Sequence, residues 1–191
     1  MLNQINGLHH VTSMASSASV NNTFFSEGLG LRRIKATVNF DNPEVYHLYY
    51  GDEVGRPGSV LTYFPFPNIA KGRRGTGEVG TTAFTIPLGS ISFWRERLHV
   101  IGAGHITPTH RFGEQRLEFY GPDGDHFALI EAHDVRTPWA ADDIPVEHAI
   151  RGFHSADMRV NDADPMIELL TFMGYRVSHQ EGALTRMEVV G

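Results

Sequence analysis

Three glycine-led segments recur along this chain at a nearly constant interval. Gly7 opens GLHHVTSM, Gly80 opens GTTAFTIP and Gly152 opens GFHSADMRV, so the starts lie 73 and 72 residues apart. Each leads into a helically patterned stretch that closes on an apolar or aromatic run and a glycine: Gly28, Gly102 and Gly174, at offsets of 21, 22 and 22. Glycine suits a helix C-terminus because the residue past the last turn often takes a left-handed backbone. In the third segment Asp164-Pro165 supplies an N-cap followed by proline at the first helical position. Spacing and order together identify a tandem repeat, which narrows the fold more than any compositional figure.

Strand-like runs follow each helix. In the first unit they are LRRIKATVNF, VYHLYY and SVLTYFPF, parted by the turn-rich DNPE and GDEVGRPG; in the second they are HITPTH, RLEFYG and HFALIEAH, with PDGD between the last two. The unit is βαβββ and the expected fold is α+β. A third full period would end near residue 224, and the sequence given ends at 191. The expectation is therefore two complete units (1–70 and 71–134), an aperiodic connector (135–151) and a partial third unit (152–191).

Composition removes several functions. With no cysteine, any metal must be held by His, Asp or Glu. A net charge of -6 argues against a nucleic-acid binder, and KGRRG at 71–75 reads as a solvated loop. No apolar run reaches the roughly 18 residues of a membrane span, and no signal peptide pattern opens the chain, so the expected location is cytoplasmic. No GxSxG, P-loop or strand-borne GxGxxG is present.

Side chains alternate across a strand, which puts His9 and His10 on opposite sides and Thr12 on the side of His10. On parity alone either imidazole is a candidate ligand or an ordinary hydrogen-bonded strand-end group. His47 and Tyr49 share one face of a later strand and are candidate pocket residues. His105, His110, His126, His133 and His179 lack partners at ligand spacing.

The βαβββ repeat, the opening HHV and the PDG before a last strand resemble the vicinal oxygen chelate superfamily, which includes glyoxalases, bleomycin-resistance proteins and extradiol dioxygenases. YHLYYGDEVGRPGSVLTYFPFP (46–67), RFGEQRLEFYGPDG and PVEHAIRGFHS look more narrowly like the ring-cleaving dioxygenases that open hydroquinones. Those proteins carry four units in one chain. The resemblance implies Fe(II), in some members Mn(II), held by two histidines and a carboxylate, with open positions for an aromatic diol and O2. It makes His10 the first metal ligand, sets His9 behind it and Thr12 beside it as catalytic groups, and leaves His47 and Tyr49 as pocket lining. The other two family ligands belong to unit four, beyond residue 191.

Counting from the glycine starts, the slot of His10 is filled by Ala83 and Ser155, and His154 takes the slot of His9. The family carboxylate slot, four residues past Gly124, holds Ala128; Glu131 lies nearby with opposite parity. Units two and three therefore read as scaffold. The implied activity is an Fe(II)-dependent ring-cleaving dioxygenase using a small aromatic and O2, in a homo-oligomer. The alternatives are a non-catalytic aromatic-binding protein of this fold and a glyoxalase-type isomerase using Zn or Ni.

Overall fold

The computed structural model describes residues 5–68 and 70–189. Residues 1–4, 69 and 190–191, which include the outer ends of units one and three, lie outside the described residues. Unit one runs β1 (His10–Ala15), α1 (Ala18–Asn22), β2 (Arg32–Val38), β3 (Tyr46–Gly51) and β4 (Val60–Pro65). Unit two repeats it as β5 (Glu78–Ile86), α2 (Ile91–Val100), β6 (Gly104–Arg111), β7 (Glu114–Tyr120) and β8 (His126–Glu131). After the connector come β9 (Gly152–Arg159), α3 (Asp164–Phe172), β10 (Tyr175–Glu181) and β11 (Leu184–Val189). The fold is α+β, built from tandem βαβββ units, two complete and one partial.

The two complete units share one sheet order. Unit one forms β1-β4-β3-β2, with β1 parallel to β4. Unit two forms the equivalent β5-β8-β7-β6, again with its first and last strands parallel, and β9 then adds antiparallel to β5. Strands β10 and β11 make a separate two-stranded sheet. β5 therefore has strand neighbours on both sides, whereas β1 is an edge among the described residues.

Local chemistry explains most element boundaries. Ser17 caps α1 by accepting the Val20 N–H. The chain then widens into a π-type turn over Thr23–Gly28, and the left-handed step falls at Gly30 (φ 68) instead of Gly28. Gly102 (φ 73) and Gly174 (φ 100) take the left-handed backbone expected after α2 and α3. At α3 the N-cap is Ala163, one residue before the expected Asp164, and the Asp162 side chain accepts the Asp164 N–H at 3.0 Å.

The core joins units one and two face to face. Phe25, from the π-type turn, lies 5.0 Å from Tyr63, 5.4 Å from Tyr50 and 5.6 Å from Phe127, ring centre to ring centre. Trp94, Leu98, Phe84 and Phe119 belong to the same core. Each large side chain so buried contributes roughly 1.5–3 kcal/mol. Along β1 the inward residues are Val11, Ser13 and Ala15, leaving His10, Thr12 and Met14 outward. Asp125, in the turn before β8, fixes this strand from below. It accepts from the Ser13 hydroxyl and from the Tyr63 hydroxyl, each at 2.9 Å. Its neighbour Asp123 accepts the Ser16 N–H at 2.9 Å. The PDGD turn of unit two thus docks the His10 strand of unit one.

Candidate functional site

Register assembles a site on the outer face of the unit-one sheet. Lys35 pairs with Tyr49, Tyr49 with Thr62, and Thr62 with Thr12, so one row crosses all four strands. The Thr12 and Thr62 hydroxyls hydrogen-bond at 2.8 Å. The adjoining row carries Thr37 opposite His47, and Met14 opposite Phe64. His47 stacks on Phe64 with ring centres 4.0 Å apart and on Tyr49 at 4.1 Å. Its Nδ1 shares a 2.8 Å hydrogen bond with the Tyr49 hydroxyl, while its Nε2 is buried without a partner. The Lys35 ammonium lies over the Tyr49 ring, 4.3 Å from its centre. Burial, then the nearby Lys35 and His10, hold the His47 pKa below its ordinary value. The result is an aromatic wall bounded by hydroxyls and imidazole.

His10 stands exposed on the same face, at the row of Val60. His9 precedes the first residue of β1, so strand alternation does not govern it. Instead of standing apart, as parity predicted, the two imidazoles meet edge to face with their Nδ1 atoms 3.1 Å apart. The structure thus brings His9, His10 and Thr12 to one end of the sheet and His47 and Tyr49 to its middle. Lys35, Thr62 and Phe64 were missed in the sequence. Alternation would have placed Thr62 and Phe64 on one face, but only the pairing register shows that Lys35 joins their face.

A facial metal site needs three protein ligands. Among the described residues no three His, Asp or Glu side chains converge in a way that could hold a metal ion. The residues present do not form such a centre by themselves. Glu131 is no substitute: its carboxylate accepts the Ile91 N–H at 2.8 Å and so caps α2.

The equivalent face of unit two is filled. Ala83 pairs with Ala128 on one side and Ser155 on the other, so the three small residues meet. Around them lies an ion-pair net. The Arg116 side chain is 1% exposed, 3.4 Å from Glu118 and 3.5 Å from Asp157. Arg111 reaches Asp157 at 2.5 Å and Glu118 at 3.6 Å. Arg186, from β11, grips Glu114 with both terminal nitrogens, and His154 Nε2 meets the same carboxylate at 3.2 Å. Burial, then Arg74 and Arg116 against the opposing pull of Glu118 and Asp157, holds the His126 pKa down.

A groove of about 360 Å³ lies elsewhere, between β2, α2 and the connector, lined by Arg32, Arg97, Trp139 and Asp143 among others. Two of its cations, Arg97 and Arg32, are already engaged. Arg97 donates to the Gly28, Glu27 and Asp143 carbonyls, and Arg32 stacks on Trp139. It is a joint between units.

No family model matches the chain. The fold is that of the vicinal oxygen chelate superfamily. A glyoxalase-family protein from Enterococcus faecalis superposes with TM-score 0.51 at 21% identity, over 65% of this chain and 97% of that one, and shows the fold alone. Along nearly its whole length the chain is related to proteins named ring-cleaving dioxygenases. MhqO of Bacillus subtilis (strain 168) is 36% identical over 97% of this chain and 60% of its own length. The chlorohydroquinone/hydroquinone 1,2-dioxygenase of Sphingobium indicum is 35% identical over 85% of this chain and 52% of its own. A solved dioxygenase structure from Bacillus subtilis subsp. subtilis str. 168 superposes with TM-score 0.93 at 36% identity, over 97% of this chain and 60% of that one. The chain thus spans between half and two thirds of the length of these relatives.

Proposed function

We propose that this chain is the aromatic-binding part of a metal-dependent ring-cleaving dioxygenase acting on hydroquinone- or catechol-like rings with O2. His10 is one imidazole of the metal centre, Fe(II) or Mn(II), with the remaining ligands supplied from outside the described residues. The stack of Phe64, His47 and Tyr49 borders the place of the ring and gives it an apolar wall. Thr12 and His9 stand where they can hold or exchange a proton with a ring oxygen. The observation that carries this reading is the coincidence of His10 with an aromatic wall on one open face, in a chain whose relatives bear that activity in their names. The reading includes self-association, through the uncovered third unit.

The test is metal analysis after anaerobic Fe(II) loading, followed by oxygen uptake with a hydroquinone. The 191-residue chain alone is expected to hold iron weakly and to consume oxygen slowly or not at all. A form carrying the missing ligands should do both, and His10→Ala should abolish both. Stoichiometric iron and rapid uptake by this chain alone would overturn the division of ligands. The ligand count also favours one second reading, a protein that binds small aromatics without turnover. Ring binding with no oxygen uptake in any longer form would establish it.

A further inference from the structure

Where unit one carries a pair of hydroxyls beside its slot residue, unit two carries one. Thr12 pairs with Thr62 across β1 and β4, and their hydroxyl oxygens lie 2.8 Å apart. Thr12 stands five residues after Gly7 and Thr85 five after Gly80, but the partner of Thr85 on β8 is the fully buried Ile130. The Thr85 hydroxyl instead accepts from Arg136 Nη2 at 3.4 Å. A cross-strand threonine pair is often no more than a sheet contact. Here the two members stand in different surroundings. Thr62 is 1% exposed, whereas Thr12 lies exposed on the face that carries His10. Tyr49, the other neighbour of Thr62 in its row, has its hydroxyl on His47 Nδ1. Among the described residues the Thr62 hydroxyl therefore has one partner, the Thr12 oxygen.

Burial sets the direction of that bond. If Thr12 donated, the buried Thr62 proton would have no acceptor among the described residues, and an unsatisfied buried donor is the larger penalty. With Thr62 donating, the Thr12 oxygen accepts from within the sheet and its own proton is free for the open side. Accepting one bond also makes a hydroxyl a better donor of the next. From this geometry we infer that Thr62 is a positioning residue, whose buried hydroxyl turns the Thr12 hydroxyl outward as a donor toward an oxygen of the bound ring. The inference rests on reading this face as the aromatic site, with a ring oxygen at Thr12. An outward donor favours the ionised oxygen of a phenol over its neutral hydroxyl, because the bond to the anion is charge-assisted. The proton lost by the phenol goes to bulk water, and Thr12 keeps its own.

4-Nitrophenol tests this on the metal-free 191-residue chain, because its neutral and ionised forms differ in colour. Binding is followed by NMR on the His10 and His47 ring protons, and ionisation of the bound phenol by absorbance across pH. The unaltered chain is expected to prefer the ionised form about three- to tenfold more than Thr62→Val does, the range of a charge-assisted hydrogen bond that remains partly solvated. Thr62→Ser, which keeps the hydroxyl, should retain the preference. Thr12→Val, at an exposed position that the fold tolerates, should lose it to the same extent, and the double variant should lose no more. A merely structural role would lower the denaturant midpoint of Thr62→Val and weaken both forms alike, leaving the ionisation of the bound phenol where it was. That result, or a preference that Thr12→Val leaves intact, would overturn the role of Thr62 and leave the aromatic site standing. If 4-nitrophenol shifts neither His10 nor His47 in the unaltered chain, the site and the role of Thr62 fall together.

Discussion

The two complete sheets have the same strand order and opposite contents at the same place. In unit one the first strand is an edge among the described residues, and its slot residue His10 stands on an open face; Lys35, on the same face, has no ion pair among those residues. In unit two the first strand is flanked by β8 and β9, and its slot residue Ala83 is enclosed between Ala128 and Ser155. The acids Glu114, Glu118 and Asp157 there are matched by Arg111, Arg116 and Arg186. Polar groups that find partners within the chain contribute to holding it together. Polar groups left without them among the described residues, on a face of stacked aromatic rings, are the ones to which the proposed reading gives a ligand. The repeated unit is therefore a frame that serves either purpose.

The strongest way to break this comparison is to remove the centre of the filled face. Arg116→Ala leaves Glu118 and Asp157 facing each other without their buried cation. Losing one partner of a buried pair costs about 3–5 kcal/mol, and the partial exposure of these carboxylates puts the expected loss near ~3 kcal/mol. Denaturant midpoints at fixed slope would measure it. A loss below about 1 kcal/mol would mean that the net is ornament and that the two faces do not differ in the proposed way.

A smaller effect should separate the β10–β11 hairpin from the rest. Besides its link to α3, this hairpin is tied to unit two by Arg186 on Glu114 and by the Glu181 carboxylate on the Phe112 N–H at 2.6 Å. Arg186→Ala should cost about 1–2 kcal/mol. Amide exchange should rise over 175–189 while β5, β7 and β8 stay protected. Acid should do the same in two stages. Burial, aided by Arg186 and Arg116 against the pull of Glu114, holds the His154 pKa below its ordinary value. The unfolded chain therefore takes up that proton first, and stability begins to fall as pH drops below about 6.5. Burial tends to raise the Glu114 pKa, but the Arg186 and His154 contacts outweigh it and hold the carboxyl low. Its contribution is complete above about pH 4.3 and is lost as pH falls through the depressed folded value. His154→Gln should remove the upper stage and Glu114→Gln the lower. A single acid transition unchanged in both variants would dissociate the hairpin from these groups.

The third unit offers the next test, because it resembles neither face. α3 has no buried residue, and Leu169 and Phe172 on it are 51% and 59% exposed, with Val177 and Leu184 exposed beside them on the hairpin. Apolar surface of this kind promotes association. Light scattering at tens of micromolar (roughly, an ordinary working range) should show a dimer or larger species. Leu169→Ser with Phe172→Ser should weaken it about tenfold, as expected for two partly buried apolar side chains. A clean monomer would end the homo-oligomer proposal.

What the sequence disclosed and what it hid divide along a physical line. The glycine spacing, the apolar runs and the turn clusters are local, and they led to the unit order β, α, β, β, β. Counting from Gly80 and Gly152 named Ala83 and Ser155 in the slot of His10, and counting from Gly124 named Ala128 in the carboxylate slot; the strand registers bring the three side by side. The ion-pair net was invisible because Arg186 and Glu114 lie 72 residues apart and meet only once β11 folds over β7. Asp125 read as part of a turn, and its grip on Ser13 and Tyr63 required the packing of one unit on another. Glu131 had the parity of a core-facing residue and no visible reason to be acidic until α2 presented its N-terminal amide. His9 and His10 were read by an alternation rule that begins one residue too late to apply to the first of them.

The smallest expected change in stability is the one that sharpens the comparison most. His10→Ala removes an exposed imidazole whose side-chain contact among the described residues is the neighbouring His9 ring. Substitutions away from buried networks usually shift stability by less than about 0.5 kcal/mol, and the denaturant midpoint should stay within that range. The same holds for Lys35→Met, whose ammonium rests on Tyr49 with no ion pair among the described residues. If the open face is a place for a ligand, these residues are dispensable to the fold and not to binding, the reverse of Arg116. The decisive measurement is therefore a pair of numbers for each variant, a midpoint and a hydroquinone affinity taken on the same preparation. His10→Ala with a lowered midpoint and unchanged affinity would place it among the structural groups. An unchanged midpoint with weakened affinity would leave stability on one face of the repeat and recognition on the other.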